Sequence, residues 1–108
     1  MNNNMQDGTC LRIYLSESDK IDGKPAVETV LQLCQQGGLT GVTVLRGIEG
    51  LGSHGIHSSS FLSLASHLPI IVEAIDTHEN INTAIESLRP HLRGKLVASW
   101  PVSLLREI

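Results

Sequence analysis

Two stretches of this chain gather the residue types that do chemistry. The first is Val42 to His57, VTVLRGIEGLGSHGIH, which begins as an apolar strand and changes character at Arg46. Glycines then recur at Gly47, Gly50, Gly52 and Gly55, interleaved with Arg46, Glu49, His54 and His57. Glycine lets a backbone approach a ligand or partner closely, and loops of this kind on a rigid scaffold commonly carry function. The spacing of Arg46 and Glu49 suits a salt bridge at the loop base. The second stretch is Arg93-Gly94-Lys95, two cations around a glycine at the start of a strand, where side chains and backbone N–H groups can meet a phosphate.

Other chemistries fare less well. His54 and His57 stand three apart and are the weak candidates for a metal. Zinc takes three or four ligands, and neither cysteine nor carboxylate accompanies the pair, so no metal is expected. Ser58, Ser59 and Ser60 have histidines nearby, but a hydroxyl nucleophile needs a base held in fixed geometry by a third group. A serine-rich loop is a poor place for that, and the chain does not read as an enzyme. His67, His78 and His91 read as surface or capping residues.

The elements that position these residues follow from periodicity. Leu11, Ile13 and Leu15 alternate with Arg12, Tyr14 and Ser16, which predicts a strand. Asp22-Gly23 marks a turn, and Pro25 suits the first turn of a helix. Ala26, Val27, Val30, Leu31 and Cys34 recur at helical spacing until Gly37-Gly38. A second strand runs from about Gly41 to Ile48. Residues 58–69 read equally as a strand or a short helix. Ile70 to Ile75 is an apolar run of strand length, interrupted at Glu73. Asp76 as N-cap with Glu79 resembles a capping box for a helix carrying Ile81, Ala84, Ile85 and Leu88, which Pro90 stops. A last strand runs from Lys95 to Trp100.

This order makes an α+β, ferredoxin-like βαββαβ sandwich: an antiparallel four-stranded sheet with two helices on one face. Residues 1–9 read as a disordered tail and residues 10–108 as a single domain. Strand order 4-1-3-2 makes the first and third strands neighbours, with Arg12 and Glu73 together on the face away from the helices. That face mixes charge with Ile71 and Ile75, a pattern that suggests burial in an oligomer.

Composition excludes several classes. A 108-residue chain of net charge −3 lacks the basic surface that non-specific nucleic-acid binding draws on. Tyr14, Phe61 and Trp100 are too few for a base-stacking platform. Cys10 and Cys34 are far apart and read as buried hydrophobes. No run approaches the roughly 20 apolar residues of a membrane span, so no direct membrane insertion is expected. The start, MNNNMQDGT, has no signal-peptide pattern, and a cytoplasmic location is the expectation.

The segments LRIYLSESDKIDGKP, GVTVLRGIEGLGSHGIH and LPIIVEAID resemble the PII-like proteins of domain-of-unknown-function family 190. The LRGIEG-x-G block followed by Ile56-His57 is the most specific part. The resemblance implies a PII-like fold, a homotrimer with clefts between subunits, and a T-loop equivalent over residues 50–67. It also implies an adenine nucleotide as candidate effector, gripped by Gly50 and Gly52 at the loop base, by Arg93, Gly94 and Lys95, and by Arg106; Arg46, at the same loop base, joins this effector-binding set. Leu51, Ser53, His54, Ile56 and His57 would then dock on a protein partner such as a transporter or enzyme. The loop carries no tyrosine to accept a uridylyl group. The expectation is thus a non-enzymatic signalling module. A metal-binding trimer using His54 and His57, and a ligand-free docking protein, are the alternatives.

Overall fold

A computed structural model of the chain describes residues 5–52, 55–58 and 68–105. Its principal sheet contains β1 (Gln6–Ser16), β4 (Val42–Arg46), β7 (Pro69–Asp76) and β8 (Leu96–Leu104), in the spatial order β4-β7-β1-β8 and antiparallel throughout. Two small hairpins lie outside it: β2 (Lys20–Ile21) with β3 (Lys24–Pro25), and β5 (Glu49–Gly52) with β6 (Gly55–Ser58). Helix α1 (Ala26–Gln36) follows β3, and α2 (His78–Leu88) follows β7 before a 3-10 turn, Arg89–His91. This is the expected ferredoxin-like arrangement, with both helices packed on one sheet face.

Pleating decides which residues form the core. Leu11, Ile13 and Leu15 of β1 face the helices with Ile70, Val72 and Ala74 of β7, and all six are buried. Helix α1 contributes Ala26, Val30 and Cys34, spaced four apart, and α2 contributes Ile81, Ala84 and Leu88. Leu39 is drawn into the same core where α1 ends. Its N–H returns to the Cys34 carbonyl at 3.1 Å and that of Gly38 to Gln35 at 3.1 Å, the paired bonds of a Schellman closure.

Several boundaries differ from the sequence expectations. Strand β1 begins at Gln6, so residues 6–9 are paired and do not belong to a tail; Gln6 lies opposite Leu104 and Thr9 opposite Pro101. The β8 strand runs past Trp100 to Leu104, and its outer half needs this partner for its backbone groups. The N-cap of α2 is Thr77 and not Asp76: the Thr77 hydroxyl accepts from the Asn80 N–H at 3.2 Å. Buried Asp76 braces that cap, accepting from the Thr77 N–H at 2.7 Å and the Asn80 side-chain amide at 3.0 Å. Pro25 precedes the first helical residue, with an extended backbone (φ −53°, ψ 129°). The glycine-rich segment pairs as a hairpin, with Gly50 opposite His57, Leu51 opposite Ile56 and Gly52 opposite Gly55. Of the undecided stretch before β7, residues 59–67 lie outside the described residues.

Candidate anion site at one end of the sheet

Strands β1 and β4 leave the sheet at the same end where β7 and β8 begin, because their pairings are antiparallel. Arg46 closes β4 there, and Gly94-Lys95 opens onto β8. The backbone is tied across this end. The Glu17 N–H donates to the Leu68 carbonyl at 3.0 Å, and the Gly47 N–H donates to the Pro69 carbonyl at 2.7 Å. Gly47 has to be glycine for this approach, since a Cβ would stand 2.6 Å from Pro69 Cγ. Gly94 is required for a different reason. Its φ of +77° is a left-handed conformation, which lets the Lys95 N–H return to the Leu92 carbonyl at 3.0 Å.

Both candidate cations are held by carboxylates of the connector that follows β1. An Arg46 Nη nitrogen lies 2.6 Å from Glu17 Oε2, and Lys95 Nζ lies 3.2 Å from Asp19 Oδ2. Arg46 thus has a partner that its sequence neighbourhood did not suggest, from another strand's end; the side chain of Glu49, its expected partner, lies outside the described residues. Arg46 is largely exposed, whereas Lys95 and Asp19 are each about a quarter exposed (24% and 25%), so the second pair is the more sheltered. Asp19 Oδ2 also accepts from the Ser16 N–H at 2.8 Å, and the Asp19 N–H donates back to the Ser16 carbonyl at 3.0 Å. The carboxylate is therefore fixed in place before Lys95 meets it.

Of the residues proposed from sequence, Arg46, Gly94 and Lys95 share this end of the sheet but not one pocket. Strands β4 and β8 are its two edges, with β7 and β1 between them. Three strand spacings put the edges about 14 Å apart. Arg93 is exposed and has no ion-pair partner among the described residues. Gly50, Leu51 and Gly52 lie on β5, and Ile56 and His57 on β6. Ser53, His54 and Arg106 lie outside the described residues. Sequence reasoning missed Glu17 and Asp19. Their signal was present as acids two apart in SESD, immediately after a strand.

The sheet face opposite the helices forms a second notable surface. Arg12 lies opposite Glu73 in the register, with its Nε 2.6 Å from Glu73 Oε2 and its guanidinium 5.6 Å from the Trp100 ring centroid. The hydrogen bond that Arg12 donates to Glu73 holds the Arg12 pKa above its ordinary value. Cys10 is buried beside this pair, and desolvation, reinforced by the Glu73 charge, pushes its thiol pKa up. Around them, Leu45, Ile75, Leu96 and Trp100 are 40–65% exposed, an unusual amount of apolar surface for one face of a small domain. Elsewhere Thr9 Oγ1 contacts Nδ1 of His78, the first residue of α2.

Among the described residues, no three His, Cys, Asp or Glu side chains come close enough to hold a metal ion, and no helix is long and apolar enough to cross a membrane. A profile of the DUF190 family ("Uncharacterized ACR") matches residues 8–104. A UPF0166 protein of Methanocaldococcus jannaschii is 36% identical over 78 residues, covering 72% of each chain. Among solved structures, CPII of Thiomonas intermedia K12, a nitrogen regulatory PII-like protein bound to ADP, AMP and bicarbonate, superposes with a TM-score of 0.71 at 20% identity. That match covers 94% of this chain and 92% of CPII. The GlnK–ATP complex of B. subtilis superposes with a TM-score of 0.59 at 10% identity, covering 89% of this chain and 82% of GlnK. These two likenesses establish the PII-like fold.

Proposed function

The chain belongs to the DUF190 family and has a PII-like fold, and from that premise we propose that it is a non-enzymatic regulatory protein that binds a small anionic effector between the subunits of a homotrimer. The observation that carries this reading is the placement of Arg46 and Lys95 at one end of the sheet but on opposite edges. Neither edge makes a complete site alone. Two copies side by side would bring the β4 end of one against the β8 start of the next, giving an anion two cations and two backbone turns. The apolar open face supports assembly, because its surface suits burial against other copies. An adenine nucleotide is the first candidate effector, since CPII and GlnK are described in complex with ADP, AMP or ATP. Arg93, Gly50, Gly52 and Arg106 complete the proposed effector set.

Segment 50–67 is the proposed docking element for a protein partner, using Leu51, Ser53, His54, Ile56 and His57. Its base leaves β4 through Gly47, so an anion on Arg46 acts one residue from the point where the segment departs. Signalling requires the effector to prefer one arrangement of that segment; tight binding alone shifts nothing.

Thermal denaturation with ADP, ATP, cyclic AMP, bicarbonate and divalent metals tests the reading. Binding to the native state stabilises by RT ln(1 + [L]/Kd), about 2.7 kcal/mol at a hundredfold excess over Kd. An adenine nucleotide should raise Tm, and Lys95→Ala should reduce the shift. Stabilisation by metals alone would favour the histidine alternative, and no shift with any ligand would leave a docking protein.

A further inference from the structure

We propose that Glu17 and Asp19 are internal counter-ions of the anion site, occupying its two cations until an effector anion displaces them. The inference rests on the anion-binding reading above and adds the residues that set its affinity. Arg46 and Lys95 are each already paired, at 2.6 and 3.2 Å, with carboxylates two residues apart on one connector. The four charges, two positive and two negative, sum to zero. A site so neutralised does not attract anions indiscriminately, which suits a chain of net charge −3.

The connector is built to present these carboxylates. The Glu17 N–H is tied to Leu68 at 3.0 Å, prolonging the β1–β7 ladder, while the Ala26 N–H donates to the Asp19 carbonyl at 2.9 Å. Asp19 Oδ2 is further held by the Ser16 N–H. An incoming phosphate therefore competes with preorganised acids. A phosphate oxygen can take the Lys95 ammonium while Asp19 keeps its backbone N–H, so the connector need not unfold for displacement. The Glu17 carboxylate is held at the more exposed of the two cations, Arg46, and swings away more freely. Releasing Glu17 also unpins Arg46, the last residue of β4 before the β5–β6 hairpin departs.

The test is calorimetric titration with ADP, and separately with inorganic pyrophosphate, of the wild type, Glu17→Gln, Asp19→Asn, Lys95→Ala and the Asp19→Asn/Lys95→Ala double variant. Asparagine keeps an acceptor for the Ser16 N–H, and exposed Glu28→Gln on α1 controls for net charge. Asp19→Asn and Glu17→Gln should each tighten binding about 2- to 5-fold, the range expected for removing a partly exposed competing ion pair. The Asp19→Asn gain should vanish without Lys95, and Glu28→Gln should change nothing. Unchanged or weaker binding by both single variants, or a gain that survives loss of Lys95, overturns the counter-ion role while leaving effector binding intact. Binding seen only in the neutralised variants supports the counter-ions but overturns effector binding by the native chain. No binding by any of the proteins overturns both. Should Asp19→Asn fail to fold, Glu17→Gln decides by the same comparison with Glu28→Gln.

Discussion

Cys34 makes stability depend on alkaline pH in a direction that can be worked out. The residue is fully buried on α1, within the core formed with Val30, Ile81 and Ala84. Burial disfavours the thiolate and pushes its pKa from an ordinary 9.0 up to about 11. The folded pKa exceeds the unfolded one, and the neutral thiol is the form that the fold accepts. Its contribution is fully present below pH 9 and is lost progressively as pH rises from 9 through 11, because the unfolded state then gains a thiolate that the native state refuses. A difference of that size amounts to at most about 3 kcal/mol, a substantial fraction of a small domain's stability. Urea unfolding at fixed protein concentration, from pH 7 to 11.5, should be compared between wild type and Cys34→Ala. Every other titratable group is common to both proteins, so its effect cancels in the difference. At pH 7 the variant should be less stable by about 1 kcal/mol, as is common for a substitution that vacates buried volume. Above pH 9 that deficit should shrink and then reverse. A difference that stays constant across the range would refute the argument, since it would mean that Cys34 ionises as easily in the fold as outside it.

Two further outcomes are expected. Gly47→Ala places a methyl group 2.6 Å from Pro69 Cγ and should destabilise the domain by about 1–3 kcal/mol, read as a fall in the urea midpoint; an unchanged midpoint would mean that the crossing strands part without cost. Glu73→Arg sets a second cation against Arg12 in the middle of the open sheet face, so light scattering should find a trimer in the wild type and a smaller species in the variant. A wild-type monomer at micromolar concentration would refute assembly through that face.

Much of the fold is legible in the sequence because its signals are local. The alternation of Leu11, Ile13 and Leu15 identifies a strand and also its buried face. The spacing of Ile81, Ala84 and Leu88 does the same for α2, and the two parities together place Arg12 beside Glu73. The family block around LRGIEG is equally local, and it leads to the PII-like architecture. Residues 6–9 show no such pattern, because their strand exists through pairing with β8, more than ninety positions away, and not through any periodicity of their own. Thr77 and Asp76 are both good caps by type; which one capped α2 depended on where β7 released the chain.

The site divides in the same way. Residue type alone marked Gly94 and Lys95 as fit for an anion and Arg46 as fit for an ion pair. Their partners were another matter, since Glu17, which meets Arg46 in space, is far from it in sequence. Ion-pair choice depends on which chain ends the sheet order brings together, and β4-β7-β1-β8 carries the connector after β1 between the two edges. Only that tertiary arrangement could give Arg46 and Lys95 neighbouring acids from one short segment while keeping the two cations apart on opposite edges.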